Sequence, residues 1–234
     1  MFYIKIADLN VKIDNKYPHV QRLCAKYIIG VPEYVDIEAS ASEAEIDKEI
    51  AETRSEHRGF AESACIYRNI CKDLPKKFNA YLLHSALIEY EGRGYAFAAK
   101  SGTGKSTHIS LWQKLFGDGV RVINGDKPIV RYLDGKFFAY GTPWCGKEGL
   151  GANACVPLKA ICFLERDREN SIARIPSAEA VSKLFYQVLM PDDIENLDSL
   201  IALLDSTLAS VSCHILKCNT DIEAARVAYE GMKE

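Results

Sequence analysis

Apolar and polar positions alternate at Phe2 to Ile6 and again around Ala25 to Gly30, which predicts short strands. Ser40 to Arg54 is charge-dense and reads as a solvated loop or an exposed helix. From Tyr81 the pattern sharpens. Leu82 to Tyr90 and Tyr95 to Ala99 are apolar runs separated by Glu91-Gly92-Arg93-Gly94, the signature of a β-hairpin. That hairpin leads into Ser101-Gly102-Thr103-Gly104-Lys105-Ser106-Thr107. From Lys105 to Phe116 the apolar residues Ile109, Trp112, Leu115 and Phe116 recur at helical spacing, and Gly117-Asp118-Gly119 ends the run.

Val120 to Ile123 predicts another strand, ending at Asn124-Gly125-Asp126. Ile129 to Tyr132 is expected to pair with Phe137 to Tyr140 across Asp134-Gly135. A loop rich in functional residue types follows, Gly141 to Gly151. Further on, Lys159 to Leu164 reads as a buried strand, Ser177 to Met190 as a helix capped by Ser177, Leu197 to Leu208 as a second helix and Val211 to Leu216 as a strand. Thr220-Asp221-Ile222-Glu223 has the form of a capping box opening a last helix. No repeat or flexible linker interrupts the chain. The expected architecture is mixed α/β: a strand-rich lobe over residues 1–80 packed on a nucleotide-binding core over residues 81–234.

Composition narrows the class. The 234 residues are 48% hydrophobic and 26% charged, enough for a sizeable core. The formal charge of -3 gives no footprint for nucleic acid or an anionic membrane. The eight cysteines form no Cys-x-x-Cys pair and have mostly apolar neighbours, so they read as buried free thiols of a reducing cytosol. The start of the chain has no secretory signal pattern, and no apolar run reaches membrane-spanning length. A cytoplasmic protein is expected, and a homo-oligomer is compatible with the chain.

The glycine loop carries the chemistry. Small residues let consecutive backbone N–H groups point at phosphate oxygens, and the following helix adds its positive N-terminal dipole. Ser101 to Thr107 would form this cradle, with Lys105 reaching the β- and γ-phosphates and the Ser106 hydroxyl ligating Mg²⁺. Gly-x-Gly-Lys-Ser/Thr arises by chance in such a chain on the order of one time in a hundred, given background glycine usage. The full pattern has glycine where this chain has Ala99, a mild change if the backbone φ there is negative. Asp126 could approach the metal or take a proton from an attacking hydroxyl, or be a plain turn aspartate.

Together these residues resemble the HPr kinase/phosphorylase group, whose nucleotide core is similar to that of ATP-dependent phosphoenolpyruvate carboxykinase. The likeness covers roughly Leu82 to Leu164. It implies that His84, in Leu83-His84-Ser85-Ala86, assists phosphate or proton handling, and that Asp126 is the general base. Where that group has an Asp-Asp pair, this chain has Gly125-Asp126. The resemblance also points to the loop after the second hairpin, where Glu148 would ligate Mg²⁺ and Lys147 would neutralise a transferring phosphoryl group or contact the acceptor. Ser101 to His108, Asn124 to Pro128 and Thr142 to Lys147 look most like the smaller HPr-kinase-like proteins found near peptide-maturation genes. The implied function is a kinase using ATP, with GTP as the alternative, and Mg²⁺. It would phosphorylate a hydroxyl, serine by expectation, of a peptide, protein or small molecule. The competing readings are a nucleotide-binding regulatory or scaffold protein with weakened catalysis, and a small-metabolite kinase.

Overall fold

A computed structural model describes residues 1–234. The chain forms a mixed α/β structure with two sheets and eight helices. The first sheet contains β1 (Phe2–Ile6), β2 (Leu9–Asp14), β3 (Ile28–Ile29) and β4 (Ile37–Ser40), in the order β3-β1-β2-β4. Four helices accompany it, α1 (Pro18–Leu23), α2 (Glu43–Thr53), α3 (Arg58–Cys71) and α4 (Leu74–Phe78).

Residues 1–80 therefore hold more helix than strand, where the sequence pattern suggested a strand-rich segment. The charged stretch resolves into α2, opened by a capping box in which Ser42 and Glu45 bond each other's backbone N–H. Helix α3 is masked in the sequence because its buried face carries small and acidic residues: Ala61, Glu62, Ser63 and Cys65. Glu62 is fully buried and accepts the backbone N–H groups of Lys16 and Tyr17 ahead of α1.

The second sheet is built from β5 (Ala80–Leu82), β6 (Ser85–Tyr90), β7 (Arg93–Ala98), β8 (Val120–Asn124), β9 (Ile129–Leu133), β10 (Lys136–Tyr140), β11 (Cys155–Arg166), β12 (Ser171–Arg174) and β13 (Ser212–Cys218). Its path runs β5-β9-β10-β11-β7-β6-β8, with β13 on β11 and β12 on β13. Both expected hairpins form. In β9 and β10 the turn residues Asp134 and Gly135 have φ of 47° and 81°, suiting a tight primed turn. The long β11 meets β10 antiparallel through Cys155 to Pro157, then runs parallel to both β7 and β13. The carboxyl ends of β7, β11 and β13 consequently face one side, the usual place for ligands in such sheets.

Helices α5 (Lys105–Phe116) and α8 (Glu223–Met232) cover one face of this sheet, around the fully buried Trp112. Helices α6 (Ser177–Phe185) and α7 (Ile194–Ser210) cover the other. Two expected caps do not form. Ser177 is already the first helical residue, and its hydroxyl donates to the Leu208 carbonyl. At α8 the box residues make no side-chain cap, because the helix starts later, at Glu223, with Ile222 before it.

The lobe and the large sheet share a hydrophobic cluster: Leu82, Ile129, Tyr140 and Trp144 pack with the apolar residues of β1, β2 and α3. Polar contacts pin the same boundary. Tyr140 donates to Asp8 at 2.8 Å, and Arg131 donates to the Ala7 carbonyl at 2.6 Å. No helix is long and apolar enough to cross a membrane. All eight cysteines are free; Cys155 is exposed and Cys145 and Cys218 are half-buried, so only five match the expectation of buried thiols.

Candidate functional site

The glycine loop lies between β7 and α5, with Gly104 as the residue preceding the helix. Gly102 and Gly104 have φ of 78° and 126°, conformations in which a side chain would be strained. Ala99 is not among the positive-φ residues, so its methyl group carries no such cost. Its carbonyl accepts from Lys105 Nζ at 3.0 Å. Arg166, at the end of β11, holds the outside of the loop by donating from Nε to the Thr103 carbonyl at 3.0 Å and from its terminal nitrogen to that of Gly102. Tying carbonyls outward is the complement of presenting N–H groups inward. Arg166 carries no motif, which is why the sequence does not reveal it.

A cavity of about 450 Å³ opens over the loop. No hydrophobic residue lines it; its wall contains Ser101, Gly102, Gly104, Lys105, Ser106 and Thr107, with Gly125, Asp126, Gly146, Lys147 and Glu148. Of the expected residues only Thr103 and His84 lie outside this wall. Thr103 lines two neighbouring cavities, and His84 stands behind Lys105 and Asp126. Asp126 and Glu148 both border Gly146: a β-carbon there would lie 3.3 Å from Asp126 Cβ and 3.6 Å from Glu148 Oε2.

The position of His84 follows from a break in the long apolar run around it. Leu82 ends β5 and Ser85 begins β6, so His84 sits at the step between two strands, its N–H bound to the Gln187 carbonyl. His84 Nε2 is 3.1 Å from Lys105 Nζ and 3.2 Å from Asp126 Oδ1. One ring nitrogen cannot accept from an ammonium and donate to a carboxylate at once. A hydrogen bond to Asp126 requires the hydrogen on Nε2, and in that form the ring does not accept from Lys105.

Asp126 is fixed from its backbone. The fully buried Asn124 accepts the N–H groups of Asp126 and Lys127 at 2.8 and 2.7 Å, and its amide donates to the Thr142 carbonyl at 3.1 Å. Thr142 in turn donates to the Lys127 carbonyl at 2.7 Å. Burial would raise the Asp126 carboxyl, but hydrogen bonds from His84 and Lys127 and their positive charge outweigh it and hold it at about 2. Lys127 pairs with Asp126 and lies 5.5 Å over the ring of Tyr67 from α3. Lys105 is lowered from its ordinary value by burial, against the opposing pull of Asp126. A depressed lysine and a depressed aspartate in one cleft make it the candidate site.

The donor set suits a hard cation. Ser106, Asp126 and Glu148 offer only oxygen, and a nucleotide-bound Mg²⁺ takes one or two carboxylates with phosphates and water. No group of three or more His, Cys, Asp or Glu side chains is placed to hold a metal ion by itself.

Among known proteins, the family described as SynChlorMet cassette protein ScmC matches residues 65–188. No curated protein matches the chain. Among solved structures, the HPr(Ser) kinase/phosphatase from Coxiella burnetii is similar at 7% identity with a TM-score of 0.37, covering 65% of this chain and 92% of that one. That overlap is too loose to bear on the fold, and the chemistry rests on the residues described above.

Proposed function

The chain belongs to the ScmC family of SynChlorMet cassette proteins, and from the geometry of its loop cavity we propose that it is an ATP- and Mg²⁺-dependent kinase. Its core, residues 81–234, would be of the P-loop type shared by HPr kinase and phosphoenolpyruvate carboxykinase, with residues 1–80 as a supporting lobe. It would transfer the γ-phosphoryl group to a hydroxyl, with serine expected, of a peptide, protein or small molecule.

The observation that carries this reading is the convergence of Lys105, its glycine-loop neighbours Ser101, Gly102, Gly104, Ser106 and Thr107, and Asp126 and Glu148 on one cavity. Lys105 and the amides of the Ser101 to Thr107 loop other than that of Thr103, which donates to the Lys100 carbonyl, would hold the phosphates, and Ser106, Asp126 and Glu148 would hold Mg²⁺. Mg²⁺, when bound, supplies charge neutralisation at the β- and γ-phosphates. Asp126 receives the acceptor's proton as the new O–P bond forms and the β,γ-bridging bond breaks. His84, beside both Lys105 and Asp126, steadies the carboxylate. Lys147, exposed on the opposite wall, meets the transferring group or the acceptor.

Phosphate transfer from ATP to a panel of serine-containing peptides tests the proposal. Asp126→Asn is expected to lower transfer by 10²-fold or more, the usual scale of general base catalysis. Equal transfer by both proteins removes Asp126 from the chemistry. A second reading, a nucleotide-binding regulator with weakened turnover, is favoured by the Lys127–Asp126 ion pair, which already occupies the base. It predicts nucleotide binding without transfer to any acceptor.

A further inference from the structure

The segment over residues 186–190, between α6 and α7, is tied to the reaction centre through its backbone. The Gln187 carbonyl accepts the His84 N–H at 2.6 Å, and Leu83 and Val188 form an isolated antiparallel bridge. His84 is the residue that touches both Lys105 and Asp126. On this side a cavity of about 360 Å³ opens between the start of the glycine loop and the end of α6. Ala98, Ala99, Phe163, Leu164 and Tyr186 give it an apolar lining. The charges in its wall are mostly spent: Lys183 donates to Glu165 at 2.8 Å, and the exposed Lys100 alone makes no ion pair. Such a space suits an apolar side chain.

The apolar character continues outward from the cavity. Tyr186 is 84% exposed, Met190 42% and Ile194 73%. Large apolar side chains left open on one short segment mark an interaction surface. On α7, Ile194, Asp198 and Ile201 are spaced i, i+4 and i+7, so they share one face. The charge here is of one sign. From Asp192 to Asp198 the chain has four acidic residues and no basic one. Asp193 is used in capping α7, where it accepts the Asn196 N–H, and Glu195 pairs with Lys76. Asp192 and Asp198 are exposed and pair with no cation.

We propose that this cavity and the surface beyond it dock a peptide acceptor, with an apolar side chain near the reacting hydroxyl seated against Tyr186 and Lys or Arg residues further along meeting Asp192 and Asp198. The inference rests on the kinase reading above and narrows its acceptor to a polypeptide segment. Lys105 bonds the carbonyl of Ala99, which belongs to the cavity wall, so the occupant lies beside the lysine that reaches the terminal phosphates. The surface is long for a small metabolite: Ile194 to Ile201 alone spans about 10 Å of helix, the reach of roughly three extended residues. The unpaired carboxylates select the partner's sign, since complementary charge sets specificity more than affinity.

Phosphate transfer from ATP to a serine-centred peptide library, randomised at the flanking positions, tests the proposal. Wild type is expected to favour Leu, Ile or Phe close to the serine and Lys or Arg further out, each by about fivefold or more. With the best peptide, Tyr186→Ala is expected to raise the peptide KM about tenfold while kcat and the KM for MgATP stay unchanged. A parallel loss of MgATP affinity would make Tyr186 a structural residue and overturn its docking role. Asp192→Lys combined with Asp198→Lys is expected to abolish the basic preference, and a peptide carrying Glu in place of its Lys or Arg residues is expected to recover the lost transfer. No flanking preference, an unchanged preference in the variants, or no transfer to any peptide overturns the docking surface. Calorimetry with MgATP separates this failure from that of the underlying reading. A wild type that binds MgATP but gives one of these results loses the docking surface alone, and one that binds no MgATP loses the kinase reading with it.

Discussion

A β-carbon on Gly125 would lie 2.5 Å from the carbonyl oxygen of Cys145, inside any tolerated contact. The Leu150 carbonyl would be 3.3 Å away. The position where the resembled kinases carry the first of two acids is here filled by backbone of the Gly141 to Gly151 loop, and the same loop brings in Glu148. The glycine is thus a packing requirement, and a second carboxylate enters from elsewhere. Gly125→Asp is expected to lose stability on the order of 1–3 kcal/mol through overpacking, read from urea unfolding, with no gain in Mg²⁺ affinity. An Asp variant of unchanged stability that binds the metal more tightly would contradict this account.

Acid should act on two groups in sequence. His108 has an ordinary pKa of 6.5 and a folded value of about 3, so the unfolded chain binds the extra proton first. Its contribution to stability is complete above about 6.5 and is lost progressively as pH falls towards 3. Asp126, lowered from 3.8 to about 2, adds a loss confined to the range below about 4. Unfolding free energy measured from pH 7 to 4 is expected to decline in wild type and to be flatter in His108→Phe. Parallel curves would show that the imidazole is not buried neutral.

Trp144 joins the lobe to the site. Its indole N–H donates to the Ser63 carbonyl at 3.1 Å, and its ring lies 5.7 Å from that of Tyr67, on which Lys127 rests. Trp144→Ala is expected to cost about 3 kcal/mol or more, and Trp144→Phe about 1 kcal/mol for the lost hydrogen bond. Denaturant midpoints of the two variants check this; equal, negligible effects would mean the lobe does not brace the loop.

The parts of the fold that were readable in advance are those set by local rules. Asp134-Gly135 announces a tight hairpin, and the spacing of Ile109, Trp112 and Phe116 announces α5 from Lys105 to Phe116. The glycine loop was legible because its backbone conformation restricts residue type. What escaped depends on contacts between distant segments. Helix α3 hides its periodicity behind Glu62 and Ser63, whose burial is intelligible only from the groups they bond. Arg166 acts on backbone carbonyls and carries no motif, and the bonds Asn124 makes to backbone groups are not visible in the motif it opens. The step at His84 belongs to two strands with different partners, β5 on β9 and β6 on β7, and a single apolar run cannot show it.

The central claim is that the loop at Ser101 to Thr107 is a triphosphate cradle with Lys105 at its centre. Calorimetric titration of MgATP into wild type and Lys105→Ala tests it most directly. Saturable binding by wild type, weakened at least tenfold in the variant, is the predicted result. No binding of ATP or GTP by the folded wild type, with or without Mg²⁺, or equal binding by both proteins, would contradict it.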